Sequence, residues 1–234
     1  MLELKNLSCG YGAFNAVHEL SLVLRPATIT ALLGANGAGK SSTLMCIAGH
    51  CDLQAGQVFF EGEDISRIPV TERVRKGLAI SPEGRRLFKD LSVEDNLRVG
   101  GVIHPTSFYA KDRERVLTLF PRLGERLNSL AGNLSGGEQQ MLAIGRALMT
   151  RPKLIMIDEL SLGLMPKVID QCYQALKLLR SEGMTVLLVE QNTERALATA
   201  DDVCVLESGA TVWRGSAVDA RNDPTLAAAY LGLH

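Results

Sequence analysis

Gly34-Ala35-Asn36-Gly37-Ala38-Gly39-Lys40-Ser41 reads G-x-x-x-x-G-K-S, with Ser42 directly after it. This is the spacing of a phosphate-binding loop. Thr28-Ile29-Thr30-Ala31-Leu32-Leu33 precedes it, an apolar and β-branched run suited to a buried strand. Ser42 to Ala48 follows with a helical pattern, closed by Gly49. The order strand, glycine loop, helix is the context the motif requires. Glycine admits unusual φ/ψ, so successive N–H groups of residues 34–42 can turn inward on phosphate oxygens, and the helix dipole adds to that field. In such a loop Lys40 reaches the β- and γ-phosphates, and the Ser41 hydroxyl is a ligand for Mg²⁺.

The rest of the chain is built to carry such a site. At 234 residues it can bury a sizeable core, and with 46% hydrophobic and 22% charged residues it is a folded chain. A formal net charge of −1 argues against a dedicated nucleic-acid surface. No apolar run approaches the ~18 residues of a membrane span, and Met1-Leu2-Glu3-Leu4-Lys5 does not open a signal peptide. The expectation is a soluble cytoplasmic chain. Its five cysteines (Cys9, Cys46, Cys51, Cys172, Cys204) are scattered and never spaced C-x-x-C, as expected of small buried hydrophobes. Cys46, His50 and Cys51 lie close in sequence, but no fourth metal ligand accompanies them.

Leu2 to Leu7 and Leu20 to Leu24 read as N-terminal strands, Gly56 to Phe60 and Leu78 to Ile80 as two more. From about Asp90 the pattern turns helical, with an approximate capping box at Ser92-Val93-Glu94-Asp95 and a charged helical stretch over Ser107 to Phe120. Then strands (153–158, 185–189, 203–206) alternate with a helix over 168–180, which predicts a largely parallel sheet. The fold class is therefore α/β, with a mainly parallel core sheet, an N-terminal antiparallel part and an inserted helical subdomain. The boundaries place the nucleotide-binding core in 1–89 and 153–234 and the helical subdomain in 90–152.

Two further stretches narrow the chemistry. Leu154-Ile155-Met156-Ile157 is an apolar strand ending in Asp158 and Glu159. Asp158 is placed to hold Mg²⁺ beside Ser41, and Glu159 to orient or deprotonate the attacking water. Leu134-Ser135-Gly136-Gly137-Glu138-Gln139-Gln140 leads into a helix expected over 141–149. Ser135 and two glycines at a helix start form a second anion-binding nest. Two such surfaces in one chain suggest a head-to-tail dimer, one protomer's nest closing over nucleotide on the other's loop. A lone Tyr11 in Cys9-Gly10-Tyr11-Gly12 offers an aromatic face beside the first loop.

LSGGEQQ, the phosphate loop, the paired acids and the Gln191 region together resemble the ATPase subunit of ABC transporters, over essentially the whole chain. The resemblance implies that Tyr11 stacks on adenine, that Ser135, Gly136, Gly137 and Glu138 complete the partner's ATP site, and that Glu159 is the catalytic carboxylate. It implies Gln191 where a histidine usually senses the γ-phosphate, and Glu83 where a glutamine usually touches Mg²⁺ and the permease. Met165 replaces an aspartate at the dimer seam, and Leu160 stands where proline is expected, so proline there is expected to be tolerated. Ser81 to Phe88, Ser161 to Pro166, Val189 to Asn192 and the ending Ala229-Tyr230-Leu231-Gly232 are similar to the smaller ATPase subunit of branched-chain amino acid uptake systems. Implied partners are a second ATPase subunit, two permease subunits and, indirectly, a periplasmic binding protein, on the cytoplasmic face of a bacterial inner membrane. Rival expectations are the same role for urea, short amides or another polar solute, a non-transport ABC ATPase, and a P-loop kinase. LSGGEQQ and the lack of basic surfaces disfavour the last two.

Overall fold

Leu154-Ile155-Met156-Ile157 is apolar at every position, so as a strand it presents apolar side chains to both faces of a sheet and needs cover on both. The computed structural model, which describes residues 1–12 and 14–226, provides that cover. The strands are β1 (Leu2–Tyr11), β2 (Phe14–Leu24), β3 (Ile29–Leu33), β4 (Asp52–Phe60), β5 (Glu63–Asp64), β6 (Leu78–Ser81), β7 (Leu154–Asp158), β8 (Thr185–Val189), β9 (Asp202–Glu207) and β10 (Ala210–Ser216). The helices are α1 (Lys40–Ala48), α2 (Val70–Lys76), α3 (Val93–Gly101), α4 (Tyr109–Leu119), α5 (Pro121–Gly124), α6 (Gly136–Leu148), α7 (Pro166–Ser181), α8 (Thr193–Thr199) and α9 (Ala217–Asn222).

Six strands form one sheet in the order β10-β9-β3-β8-β7-β6, parallel throughout except for the antiparallel edge strand β10. Ile155 and Ile157 of β7, with Val186 and Leu188 of β8, join Leu142, Ile144, Cys172 and Leu176 of α6 and α7 on one face. Leu154, Met156, Leu187 and Val189 turn to the other face and pack with Leu44 and Ile47 of α1 and with Leu4 and Val58 of a second sheet. That second sheet is antiparallel, in the order β2-β1-β4-β5. Each wholly buried Leu, Ile or Val contributes roughly 1.5–3 kcal/mol, so the two-faced strands anchor the fold. The helical segment shares the first cluster through Val93, Leu97, Val116, Phe120 and Leu123.

Several expected boundaries move: β2 begins at Phe14 rather than Leu20, and β4 at Asp52 rather than Gly56. Helix α6 begins at Gly136, not near residue 141, because Ser135 caps it. The Ser135 hydroxyl accepts from the Glu138 N–H while the Glu138 carboxylate accepts from the Ser135 N–H, a reciprocal capping box that pulls both glycines into the first turn. Strand β1 runs to Tyr11, beyond Leu7, through register shifts against β2 that break the two-residue alternation. All five cysteines are buried free thiols. The Ala229-Tyr230-Leu231-Gly232 ending lies outside the described residues.

The sheet order decides where chemistry can happen. Leu32 of β3 pairs with Val189 of β8, and Val189 pairs with Asp158 of β7. The carboxyl ends of three adjacent parallel strands therefore finish in one row. The glycine loop, the paired acids and the Glu190-Gln191 turn all leave from that row, the edge where open α/β sheets bind ligands.

Candidate nucleotide site

Backbone shape comes first. Gly34, Gly37 and Gly39 all have positive φ, at 146°, 81° and 98°. A Cβ on Gly34 would lie 2.2 Å from the Leu206 carbonyl oxygen, and one on Gly39 would lie 2.6 Å from that of Ala16. Only glycine fits either place, and the loop made by Ala35, Asn36, Gly37 and Ala38 is a concave cradle held by its neighbours. Gly39 precedes α1, whose first residues are Lys40, Ser41 and Ser42. The Lys40 ammonium is buried and donates to the carbonyls of Gly34 (2.9 Å) and Ala35 (3.0 Å), holding a positive charge across the mouth of the cradle.

The strand ends supply the acids. The Ser41 hydroxyl donates to Asp158 Oδ1 at 3.0 Å, joining residues 117 apart in sequence. Asp158 Oδ2 is buried and has no hydrogen-bond partner among the described residues. A buried carboxylate oxygen without a partner beside a serine hydroxyl fits a divalent cation with oxygen ligands. Burial raises the Asp158 pKa from its ordinary value, opposed by the Ser41 hydroxyl. Glu159 adopts φ 52° and is nearly buried, its N–H donating to the Val189 carbonyl at 3.0 Å. Burial, and then the neighbouring Glu190 carboxylate, push its pKa up to about 7, against the pull of Lys40. At that value the carboxylate is a stronger base than an exposed glutamate and is about half ionised at neutrality.

These groups surround one open cleft of about 530 Å³, whose lining includes Asn36, Lys40, Ser41, Glu83, Glu159 and Gln191. Gln191 reaches across from the end of β8, its side-chain amide hydrogen-bonded to the Asn36 side chain. Tyr11 pairs across the β1–β2 turn with Phe14, and it is Phe14, largely exposed, that lines the cleft. Phe14, Leu162 and Glu190 are the positions the sequence reading passed over. Phe14 had only its nearness to Tyr11 as a signal, whereas an acid directly after the apolar run 185–189 is a visible anomaly.

Ser135, Gly136, Gly137 and Glu138 are not brought to this cleft; among the described residues none of them lines it. The loop after β6 spans the gap between cleft and signature helix. Glu83 faces the cleft, and two residues later the Arg85 guanidinium donates to Gln140 Oε1 and Gln139 Oε1 of α6, both at 3.3 Å. Arg146 of α6 holds the Arg85 carbonyl in turn, at 3.3 Å.

With that geometry established, comparison with known proteins is decisive. The ABC transporter family profile matches residues 17–161. The chain belongs to the ABC transporter family. It is 46% identical over 232 residues to the high-affinity branched-chain amino acid transport ATP-binding protein BraG of Pseudomonas aeruginosa, across 99% of this chain and 100% of that one. It is 35% identical to the probable branched-chain amino acid transport ATP-binding protein LivF of Archaeoglobus fulgidus, across 93% and 92% of the two chains. The fold matches the ADP conformation of an ATP-binding cassette of an ABC transporter with a TM-score of 0.85 at 25% identity, covering 97% of each chain. The protein is thus an ABC-type ATPase, with the α/β fold and helical subdomain of that family. No helix among the described residues is long and apolar enough to cross a membrane.

Proposed function

We propose that this ATPase hydrolyses MgATP at a composite site between two subunits and powers a permease importing branched-chain or related amino acids. The observation that carries the composite site is the separation of the Ser135 nest from the cleft formed around Lys40 and Glu159 in the same chain. A nest of N–H groups at the start of a thirteen-residue helix is an anion site, and a second subunit can bring nucleotide to it. The cargo reading rests on the names of BraG and LivF.

Residues 34–42 cradle the phosphates, Lys40 sits against the β- and γ-phosphates, and Tyr11 with Phe14 supplies an aromatic face for the base. Ser41, Asp158 and Glu83 are the oxygen ligands available to Mg²⁺, which when bound neutralises charge on the phosphate oxygens. Glu159 takes a proton from the attacking water as its oxygen bonds to the γ-phosphorus and the bond to the β-phosphate oxygen breaks, giving ADP and phosphate. Gln191 orients the γ-phosphate end. The working assembly includes a second ATPase subunit, two permease subunits docked from the membrane, and a periplasmic binding protein that this chain does not touch.

Lys40→Ala is expected to abolish tight binding of a fluorescent ATP analogue at equilibrium. Unchanged affinity would remove the basis of the phosphate site. For the cargo, cells lacking this gene should lose high-affinity uptake of labelled leucine while taking up urea normally; the reverse would replace the amino-acid reading.

A further inference from the structure

Glu190 is a charged side chain with 0% exposure at the end of β8, between the apolar strand and Gln191. No Lys or Arg forms an ion pair with it among the described residues. A buried carboxylate without a cation costs stability unless hydrogen bonds compensate, and the shortest of these come from Ser161. Oε1 accepts from the Ser161 N–H at 2.9 Å and Oε2 from the Ser161 hydroxyl at 2.7 Å. Both oxygens accept from Ser161, and the Asn192 N–H adds a bond from the following turn. The Tyr173 hydroxyl of α7, itself buried, lies beside the same carboxylate.

Ser161 lies two residues after Glu159 and four before Met165, in the turn that joins β7 to α7. The segment is tied to β8 at two successive rungs: the Glu159 N–H to the Val189 carbonyl, and Ser161 to Glu190. Glu159 holds a left-handed φ of 52°, a conformation that costs a non-glycine residue free energy and persists only where its surroundings fix it. On the far side of Ser161, Leu162 lines the cleft and Met165 is 70% exposed.

We propose that Glu190 is a positioning residue for ATP hydrolysis: its buried carboxylate grips Ser161 and thereby sets both the catalytic Glu159 behind it and the exposed 162–165 turn that a second subunit meets. This rests on the composite-site reading above. Among the described residues Glu190 is not part of the lining of the cleft around Lys40, so first binding of nucleotide does not involve it. Charge-assisted bonds to one residue's N–H and hydroxyl give direction as well as strength, which suits a part that fixes geometry. Glutamine at 190 keeps the outline, with its carbonyl accepting from the Ser161 N–H and its amide donating to the Ser161 oxygen. Alanine keeps neither bond.

The test uses the full-length chain in four forms: wild type, Glu190→Ala, Glu190→Gln and Ser161→Ala. Each is measured for affinity toward a fluorescent ATP analogue, for kcat and KM of phosphate release, and for MgATP-induced dimerisation in an added Glu159→Gln background. Glu190→Ala is expected to lower kcat by about 10–100-fold and to weaken dimerisation, with analogue affinity unchanged within about twofold. Glu190→Gln should recover most of that kcat, and Ser161→Ala should lose several-fold. Should Glu190→Ala not fold, Ser161→Ala decides: undiminished kcat there overturns the proposal. So does a Glu190→Ala enzyme with wild-type kcat, one that loses nucleotide affinity in step with kcat, or a glutamine variant no better than alanine. If wild type does not hydrolyse ATP and the Glu159→Gln single variant does not dimerise with MgATP, the composite-site reading itself fails.

Discussion

Glu159 is held where an ionised carboxylate is least comfortable. Burial and the Glu190 carboxylate raise its pKa, with Asp158 and Glu83 adding to the effect and Lys40 opposing it, to about 7 from an ordinary 4.5. The consequence for the nucleotide-free protein has a definite sign. Between pH 4.5 and pH 7 the native state binds more protons at this group than the unfolded chain does, so stability falls as pH rises through that window. The loss is on the order of 2–3 kcal/mol by the neutral end. Glu159→Gln removes it, so in EDTA and without nucleotide the variant should melt several degrees above wild type at pH 8, with the gap closing toward pH 4.5. Thermal melts across that range measure it, and a variant that is no more stable at pH 8 would contradict the electrostatics. A base kept strained and partly protonated is a usual site of conflict between stability and activity.

At the scale of elements, the turn after β7 shows what local sequence can and cannot tell. Leu160 stands where the resemblance expects proline, and tolerance of proline was the natural expectation. Burial argues the other way: Leu160 is wholly buried in the same apolar cluster as Ile155, Ile157 and Leu176. Leu160→Pro trades a packed leucine for a smaller ring after a residue already in the left-handed region, so it should destabilise by about 1–3 kcal/mol. A denaturant midpoint equal to wild type would show that the site repacks. The strands 154–158 and 185–189 were legible because their short, β-branched apolar runs are too brief for a buried helix and suit a strand covered on both faces. The phosphate loop was legible because glycine spacing encodes backbone shape. Strand β1 beyond Leu7 was not, since bulges against β2 break its period, and α6 looked shorter because Ser135 and Glu138 act as caps only once they face each other. Edge strand β10 alternates exposed with half-buried residues and carries little apolar signal. Glu190 owes its place to bonds with Ser161, 29 residues away, which no local window contains, and Phe14 to the β1–β2 turn that sets it opposite Tyr11.

For the molecule as a whole, the parallel sheet gathers Lys40, Asp158, Glu159 and Gln191 at one edge, while the helical subdomain carries Ser135 elsewhere. Arg85, bonded to Gln139 and Gln140, ties the loop bearing Glu83 to the signature helix, so the two half-sites of one chain are mechanically linked. On the proposed reading, two half-sites that do not meet within one chain meet between two. Hydrolysis should therefore rise more than linearly with protein concentration, or with added partner subunit, and a strictly linear rise at full activity would point to a self-contained site. The central claim, that ATP is held between two subunits and released by Glu159-dependent hydrolysis, has a more direct test. Glu159→Gln keeps the shape of the side chain but cannot accept a proton near neutral pH, so turnover should fall by about 10²–10⁴-fold. Size-exclusion chromatography of this variant should show a dimer with MgATP and a monomer with MgADP. A monomer with both nucleotides, accompanied by phosphate release at the wild-type rate, would contradict the account.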